Sequence, residues 1–147
     1  MPCNIYKTVS KIGVSMGHIS HTVDITLTAI RHNSREVSVQ CVGEKKMRSM
    51  NRIFRGIDKP TDVLSFPTED AFPGKAQTDS GDIFLCPLYI KKQAKRFGTT
   101  YKEEFTRMLI HGVLHLHGYD HIKQKDAEKM FTLQENILKK LLAKNNI

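Results

Sequence analysis

Apolar residues recur along most of the chain at helical or strand spacing, which allows the secondary structure to be predicted segment by segment. Apolar positions three and four residues apart indicate helices, and alternating or short apolar runs between turn residues indicate strands. The helices are predicted at residues 17–32, 44–55, 87–97, 101–117 and 124–144. The strands are predicted at residues 3–9, 35–42, 61–66 and 82–86, and residues 68–80 are predicted to form a loop.

This order of elements predicts an α+β fold, with a small mixed four-stranded sheet covered by about five helices. The helix over 101–117 carries apolar residues on its main face and, through Ile110 and Leu114, on its far side as well. It is therefore predicted to be largely buried. The helix over 44–55 is predicted to pack through an inward stripe of Met47, Met50, Ile53 and Phe54.

Length and composition favour a single domain that binds a polyanion. The chain has 147 residues, which suits a single domain with its own core over 1–147. Its formal net charge of +8 favours nucleic acid as a partner. Three widely spaced cysteines indicate no disulfide framework and fit a reducing compartment. The chain shows neither a signal peptide nor an apolar run of membrane-spanning length, so a cytoplasmic protein without membrane attachment is expected.

Two histidines, His111 and His115, lie four residues apart in the helix predicted over 101–117. This spacing places their imidazoles about 40° apart around the helix axis and one turn apart along it, so both can reach one metal ion. Gly118 lets the chain turn back and can bring His121 in as a third nitrogen ligand. Three protein ligands and an open position are typical of catalytic zinc. We expect one zinc per chain, although imidazoles also accept nickel or copper.

Two neighbouring residues refine this interpretation. His117 lies about 160° around the helix from His115, so it is predicted to be a packing or surface residue. Gly112 follows the first histidine, where metzincin proteases carry the glutamate that acts as general base. Metal-assisted hydrolysis is still the expected chemistry, although not in the ordinary metzincin form. Asp120 could supply a base or hold a ligand imidazole, and the second role is favoured because metal-binding histidines commonly need such a partner.

A second group of candidate residues lies on the helix over 44–55. Arg55 ends this helix, where its guanidinium could clamp a phosphate and stabilise charge that develops on it. It could equally be an arginine favoured by the helix dipole, and the residues alone leave both possibilities open. Basic residues fall mostly three and four positions apart, so one face of the helix is predicted to bind nucleic acid, unless it is merely a solvated face. These residues are Lys45, Lys46, Arg48, Arg52 and Arg55.

Three blocks of the sequence resemble the YbeY family, bacterial single-strand-specific metallo-endoribonucleases linked to ribosomal RNA maturation. The blocks are residues 51–67, with Arg55 and the run Pro60-Thr61-Asp62-Val63-Leu64-Ser65-Phe66-Pro67, then Gly81-Asp82-Ile83, then residues 111–121. Together they extend the resemblance over nearly the whole chain. The departures from the family pattern are Phe54, Ser80, Cys86 and His117, and none is a proposed metal ligand.

The resemblance implies that His111, His115 and His121 bind zinc and that Arg55 is the family's functional arginine. It further implies action near the 3′ end of small-subunit ribosomal RNA and a role in ribosome quality control, with the small subunit as partner. Two alternatives stay open. One is a metal-dependent hydrolase of another substrate, such as a peptide, and the other is a ribosome assembly protein with a structural metal.

Overall fold

The computed structural model describes residues 3–32, 34–68, 79–119 and 123–145. In these ranges the strands are β1 (Cys3–Lys7), β2 (Glu36–Cys41), β3 (Val63–Pro67) and β4 (Asp79–Leu85). The helices are α1 (Met16–Ala29), α2 (Glu44–Arg55), α3 (Pro87–Phe97), α4 (Tyr101–Leu116) and α5 (Gln124–Asn145). Every predicted helix and strand is present in the predicted order, which confirms the α+β class.

Two element bounds differ from the prediction by three residues, and the others by no more than two. β4 begins at Asp79, three residues before the predicted start, because polar residues without apolar alternation still pair with Glu36 of β2 and Pro67 of β3. α1 ends at Ala29 rather than at residue 32, and Arg31 beyond it takes a left-handed backbone with φ of 61°. Residues 69–78 of the predicted loop lie outside the described residues.

The sheet has the strand order β1-β2-β4-β3. β1 and β4 both pair with β2 in parallel, whereas β3 pairs with β4 in antiparallel orientation, so the sheet is mixed as predicted. β3 is therefore an edge strand, and its alternating side chains point to opposite faces of the sheet. Side chains of β3 contact α4 on one face and α2 on the other, so this strand lies between the two groups of candidate residues.

The two faces of the sheet carry different helices. On one face the buried core joins α1 and α4 to alternate residues of the two central strands, Val37, Val39, Cys41, Ile83 and Leu85. On the other face, Met47 of α2 packs with Leu64 of β3, and Phe66 and Phe84 lie against the same cluster. α2 and α4 consequently lie on opposite faces of the sheet at its β3 edge.

α4 is buried on both sides, as predicted. Phe105, Leu109 and Val113 belong to the core under the sheet. Ile110 and Leu114 instead pack against α5. The Thr100 side chain caps the helix start by accepting from the Glu103 amide, which satisfies one of the unpaired N–H groups of the first turn.

Two further predictions concern the cysteines and the membrane. Cys3, Cys41 and Cys86 are buried free thiols, and burial raises the pKa of Cys41 to about 12, so this thiol stays protonated at neutral pH. Among the described helices, none combines the length and apolarity that a membrane crossing requires.

Candidate metal centre

His111 and His115 present their rings on the same side of α4. The ring centroids lie 6.3 Å apart and the ring planes differ by only 5°. This parallel arrangement is what a four-residue spacing on a regular helix produces. The helix therefore positions two imidazoles side by side, as the sequence predicted.

The side chain of Gln134 fixes the tautomer of His111. His111 Nδ1 lies 2.8 Å from Gln134 Oε1. The amide nitrogen of Gln134 donates to Glu135 Oε2 at 3.1 Å, which turns the carboxamide so that its oxygen meets the imidazole. Because that oxygen only accepts, His111 carries its hydrogen on Nδ1 and keeps the lone pair on Nε2.

A main-chain carbonyl fixes the tautomer of His115. His115 Nδ1 lies 3.1 Å from the carbonyl oxygen of Tyr119, which can only accept a hydrogen bond. That carbonyl is in reach because the chain reverses after α4, with Gly118 at a φ of 90° and the Tyr119 amide donating to the Leu114 carbonyl. Both histidines thus share one tautomer, the arrangement usual for imidazoles that bind a metal through Nε2.

This donor set suits the metal that the sequence predicted. Neutral imidazoles with their second nitrogen engaged by an oxygen acceptor are typical ligands of zinc, and of nickel or copper. The third predicted ligand, His121, and its neighbour Asp120 lie outside the described residues. Within the residues that the structure covers, no group of three metal-binding side chains is found, so the complete ligand set stays a prediction.

His117 belongs to a different cluster, as predicted. Its Nδ1 donates to the Val113 carbonyl at 2.8 Å, and its Nε2 lies 2.8 Å from the hydroxyl of Ser80 on β4. Its ring also stacks on His32 at 4.9 Å. Burial lowers the pKa of His117, and the Val113 hydrogen bond only partly offsets this. With both ring nitrogens engaged, His117 is a packing residue.

Gly112 is explained by close packing between α4 and the sheet. A Cβ at this position would lie 2.9 Å from Ile83 Cγ2 and 3.3 Å from Ser65 Oγ. The Ser65 hydroxyl also donates to the Gly112 carbonyl at 3.2 Å. The metzincin glutamate would therefore point into β3 and β4 rather than toward a substrate.

A buried polar network supports Gln134 and was not predicted from the sequence. Glu104 is only 2% exposed and accepts hydrogen bonds from Gln93 and Arg107. Arg107 also donates to Glu135 at 3.1 Å, and Glu135 accepts from Gln134. Burial opposes the charge on Arg107, but its bonds to Glu135 and Glu104 outweigh this and raise its pKa.

The network continues to the motif at the start of β3. Gln93 donates to Asp62 at 3.1 Å, and Asp62 also accepts from the Val63 amide at 2.7 Å. Hydrogen bonds thus lead from Asp62 through Gln93, Glu104 and Arg107 toward the residues beside His111. The i, i+3 spacing of Glu104 and Arg107 was the one sign of this network in the sequence.

A cavity of about 730 Å³ adjoins the network and also the ring of Phe131, which lies 6.2 Å from the His111 ring. Among its described lining residues, four carboxylates face a single cation, Arg107. The carboxylates belong to Asp62, Glu103, Glu104 and Glu135. This side of α4 is unfavourable for a phosphate, so we expect a polyanion to approach from elsewhere.

Arg55 is exposed at the end of α2, on the other face of the sheet from α4. Gly56 follows it with a φ of 72° and closes the helix through bonds to the Arg52 and Asn51 carbonyls. The Asn51 side chain donates to the Lys59 carbonyl at 2.8 Å, so the turn after Arg55 is fixed. The structure does not by itself join Arg55 to the histidines. A substrate that contacts both has to pass around the β3 edge.

Comparison with known proteins gives a consistent result. The model of the family described as Endoribonuclease YbeY matches residues 6–142. A protein named Endoribonuclease YbeY from Persephonella marina is 37% identical over 138 residues, which span 93% of this chain and 90% of the relative. One of that name from a Sulfurihydrogenibium species is 43% identical over 122 residues, 80% of each chain.

A solved structure also matches over most of its length. The solution structure of TM1509 from Thermotoga maritima is 30% identical and has a TM-score of 0.67, covering 98% of this chain and 91% of that one. Because the family model spans nearly the whole sequence and these relatives exceed one third identity over most of their length, the chain belongs to the YbeY family of endoribonucleases, which are hydrolytic enzymes.

Proposed function

We propose that this chain is a zinc-dependent endoribonuclease that cleaves single-stranded RNA. We further propose that it matures the 3′ end of small-subunit ribosomal RNA in the cytoplasm and serves ribosome quality control. The observation that carries the proposal is the parallel pair of His111 and His115, each with Nδ1 bound to an oxygen acceptor. Membership of an endoribonuclease family supports the choice of RNA as substrate.

In this proposal His111, His115 and His121 hold the zinc. Zinc bound to three histidines lowers the pKa of a bound water to about 7 and polarises a phosphoryl oxygen. Gln134 and the Tyr119 carbonyl keep the two described imidazoles in one tautomer and orientation. Asp120 is proposed to orient a ligand imidazole in the same way, in line with the preference drawn from the sequence.

Arg55 is proposed to bind a phosphate of the RNA and to stabilise negative charge that develops there. Its guanidinium is exposed, and the turn that follows it is fixed by the bonds of Asn51 and Gly56. A planar guanidinium can offer two parallel hydrogen bonds to a phosphate, which gives direction as well as charge.

The basic face of α2 supports RNA binding, although one of its five predicted cations is already paired. Arg48 makes two hydrogen bonds to Asp58, at 2.9 and 3.1 Å, so its charge is largely matched. The exposed cations left on this helix are Lys45, Lys46, Arg52 and Arg55. We propose that RNA lies along this face and then passes the β3 edge toward His111 and His115.

Metal content tests the first part of the proposal. The purified protein is expected to hold about one zinc per chain, and His115→Ala is expected to lose it. His117→Ala is the matched control, because this neighbouring histidine binds Val113 and Ser80 instead. A folded His115→Ala variant with full zinc would refute the ligand assignment.

Cleavage of single-stranded RNA, with and without zinc, tests the second part. Arg55→Ala is expected to lose at least about tenfold in cleavage rate, because charge stabilisation at a reacting phosphate is commonly worth that much, while zinc content and thermal stability are retained. Arg96→Ala is a suitable control, since Arg96 also lies in the last turn of a helix that ends at a left-handed glycine. Normal cleavage by Arg55→Ala, or its unfolding, would contradict this role.

The ribosomal role needs a cellular test. Cells in which His115→Ala replaces the wild-type chain are expected to accumulate small-subunit RNA with an unprocessed 3′ end. Normal ends in those cells would refute the proposed substrate. The assembly-protein alternative predicts that such ends arise even when the zinc site is intact and only ribosome association is lost. The peptidase alternative is weakened because Gly112 leaves no room for the metzincin glutamate.

A further inference from the structure

Large apolar side chains are exposed at the end of α2. Ile53 is 67% exposed, Phe54 63% and Ile57 41%. The spacing along α2 predicted that Ile53 and Phe54 would pack inward with Met47, yet only Met47 is fully buried. Phe54 lies about 20° from Met47 around the helix, so it points the same way, but its contact with β3 leaves most of it exposed. Contiguous exposed apolar groups commonly indicate a binding surface.

The ring of Phe54 is held in place from one side. It meets Phe66 of β3 edge-on, with centroids 4.9 Å apart and an angle of 62° between the planes. Phe66 in turn meets Phe84 of β4 at 5.7 Å and 80°. This chain of aromatic contacts anchors Phe54 to the sheet, while most of its own surface stays in solvent. A fixed, exposed ring loses little freedom when it binds a flat partner.

The surroundings of Phe54 select the partner. Arg55, the next residue, is exposed and lies about 100° from Phe54 around the helix, whereas Arg52 lies about 160° away on the other side. Arg48, by contrast, is matched by Asp58. An exposed aromatic ring beside an exposed arginine is an arrangement by which proteins bind single-stranded nucleic acid, with bases stacked on the ring and phosphates near the cation. A purely apolar partner would leave the charge of Arg55 unused.

We propose that Phe54 is a stacking platform for one unpaired base of the RNA, with Arg55 on an adjacent phosphate. This inference rests on the proposed function, because it names how the RNA substrate is held. It also accounts for a preference for single strands, since a base in a duplex has both of its faces covered by neighbours. Phe54 is thus a specificity residue on the path from α2 to the β3 edge.

The test is the affinity of the full chain for a short single-stranded RNA that carries one 2-aminopurine, measured at several salt concentrations. Phe54→Ala is expected to bind about 5- to 150-fold more weakly, the range found when a stacked aromatic is removed. The dependence on salt should not change, because no cation is lost. Phe54→Tyr should bind as the wild type does, and Phe54→Leu should resemble Phe54→Ala. The wild type and the three Phe54 variants should all bind duplex RNA with the same affinity.

Tyr6→Ala is the matched control, because Tyr6 is 56% exposed on β1, the opposite edge of the sheet. It should leave RNA affinity unchanged. Absence of single-strand binding by the wild type would refute the proposed function itself. Wild-type binding with an equally strong Phe54→Ala variant would overturn the platform and leave the proposed function standing. If Phe54→Leu matched Phe54→Tyr in affinity and in 2-aminopurine quenching, plain apolar contact would replace stacking.

Discussion

At the scale of single residues, Gln134 decides which nitrogen of His111 faces a ligand. A glutamine can present either an oxygen or an NH2 group to an imidazole, and only the oxygen accepts from Nδ1–H. Glu135 takes the hydrogen bond of the Gln134 amide, and Arg107 holds Glu135. The orientation of one amide therefore depends on a salt bridge that contacts no histidine.

We predict that Gln134→Leu weakens zinc binding by about 10- to 100-fold, the usual effect of losing a partner that orients a metal-bound histidine. Gln134→Glu should keep the affinity, because a carboxylate also accepts from Nδ1–H. Competition with a chelator measures the zinc dissociation constant.

Nitrogen NMR of the metal-free protein gives a second measurement. His111 should lose its Nδ1–H tautomer in Gln134→Leu, whereas His115 should keep it, because its acceptor is the main-chain carbonyl of Tyr119. A folded Gln134→Leu variant with wild-type zinc affinity and an unchanged His111 tautomer would show that the glutamine has no such role.

At the scale of secondary structure elements, α4 packs against the sheet so that no space is left for a side chain at residue 112. The absent Cβ would contact Ile83 and Ser65 from β4 and β3. This packing places Gly112, the residue after His111, directly against the edge strand β3. The residue that distinguishes this site from a metzincin site is thus part of the packing.

We predict that Gly112→Glu does not create peptidase activity and lowers the free energy of unfolding by roughly 3 kcal/mol or more, because it adds both bulk and a buried carboxylate to a packed interface. Chemical denaturation and a peptide hydrolysis assay measure the two outcomes. A stable Gly112→Glu variant would mean that α4 can move away from the sheet at little cost.

α2 carries a face of exposed positive charge beside the β3 edge. We predict that reversing Lys46 and Arg52 to glutamate weakens binding of single-stranded RNA and makes it less dependent on salt. Each lost phosphate contact should reduce the slope of log affinity against log salt by about 0.7. RNA titrations at several salt concentrations measure both effects.

The control is the same reversal at Lys139 and Lys140, two exposed residues of α5. It changes the net charge of the protein equally but places the new carboxylates on another helix. Equal losses in the two double variants would show that total charge, rather than the α2 face, governs binding.

At the scale of the whole molecule, one hydrogen-bonded network joins β3, α3, α4 and α5. It starts at Asp62, which precedes β3 and accepts from the Val63 amide, and runs through Gln93, Glu104, Arg107 and Glu135 to Gln134. Removing one member of a buried ion pair is costly, because the other charge is left without compensation. The network therefore fixes α5 against α4 and, with it, the acceptor of His111.

We predict that zinc stabilises the whole fold, because the metal binds the folded chain and not the unfolded one. Free zinc at about 100 times its dissociation constant adds about 2.7 kcal/mol, which should raise the melting temperature by about 5–10 °C. Thermal melts with zinc and with a chelator measure the shift. His117→Ala should show the full shift and His115→Ala none, and a shift that survives in His115→Ala would point to other ligands.

Much of this protein follows from its sequence because the relevant properties are local. Helices and strands depend on short-range periodicity, so all described elements were predictable to within a few residues. The parallel orientation of His111 and His115 follows from four residues of helix, and the left-handed turn at Gly118 from the lack of a side chain there.

Other features were decided only when the elements packed together. Gln134 lies 23 positions after His111, and no spacing rule connects residues on two different helices. The stripe on α2 predicted a buried Phe54, because periodicity gives the direction of a side chain but not how much of it the neighbouring elements cover. Gly112 likewise looked like a missing base, whereas the distance between α4 and β4 shows a packing requirement. The direction of a side chain is set by its position in a helix or strand, but the distance between elements is set by tertiary packing. The candidate metal site depends on both.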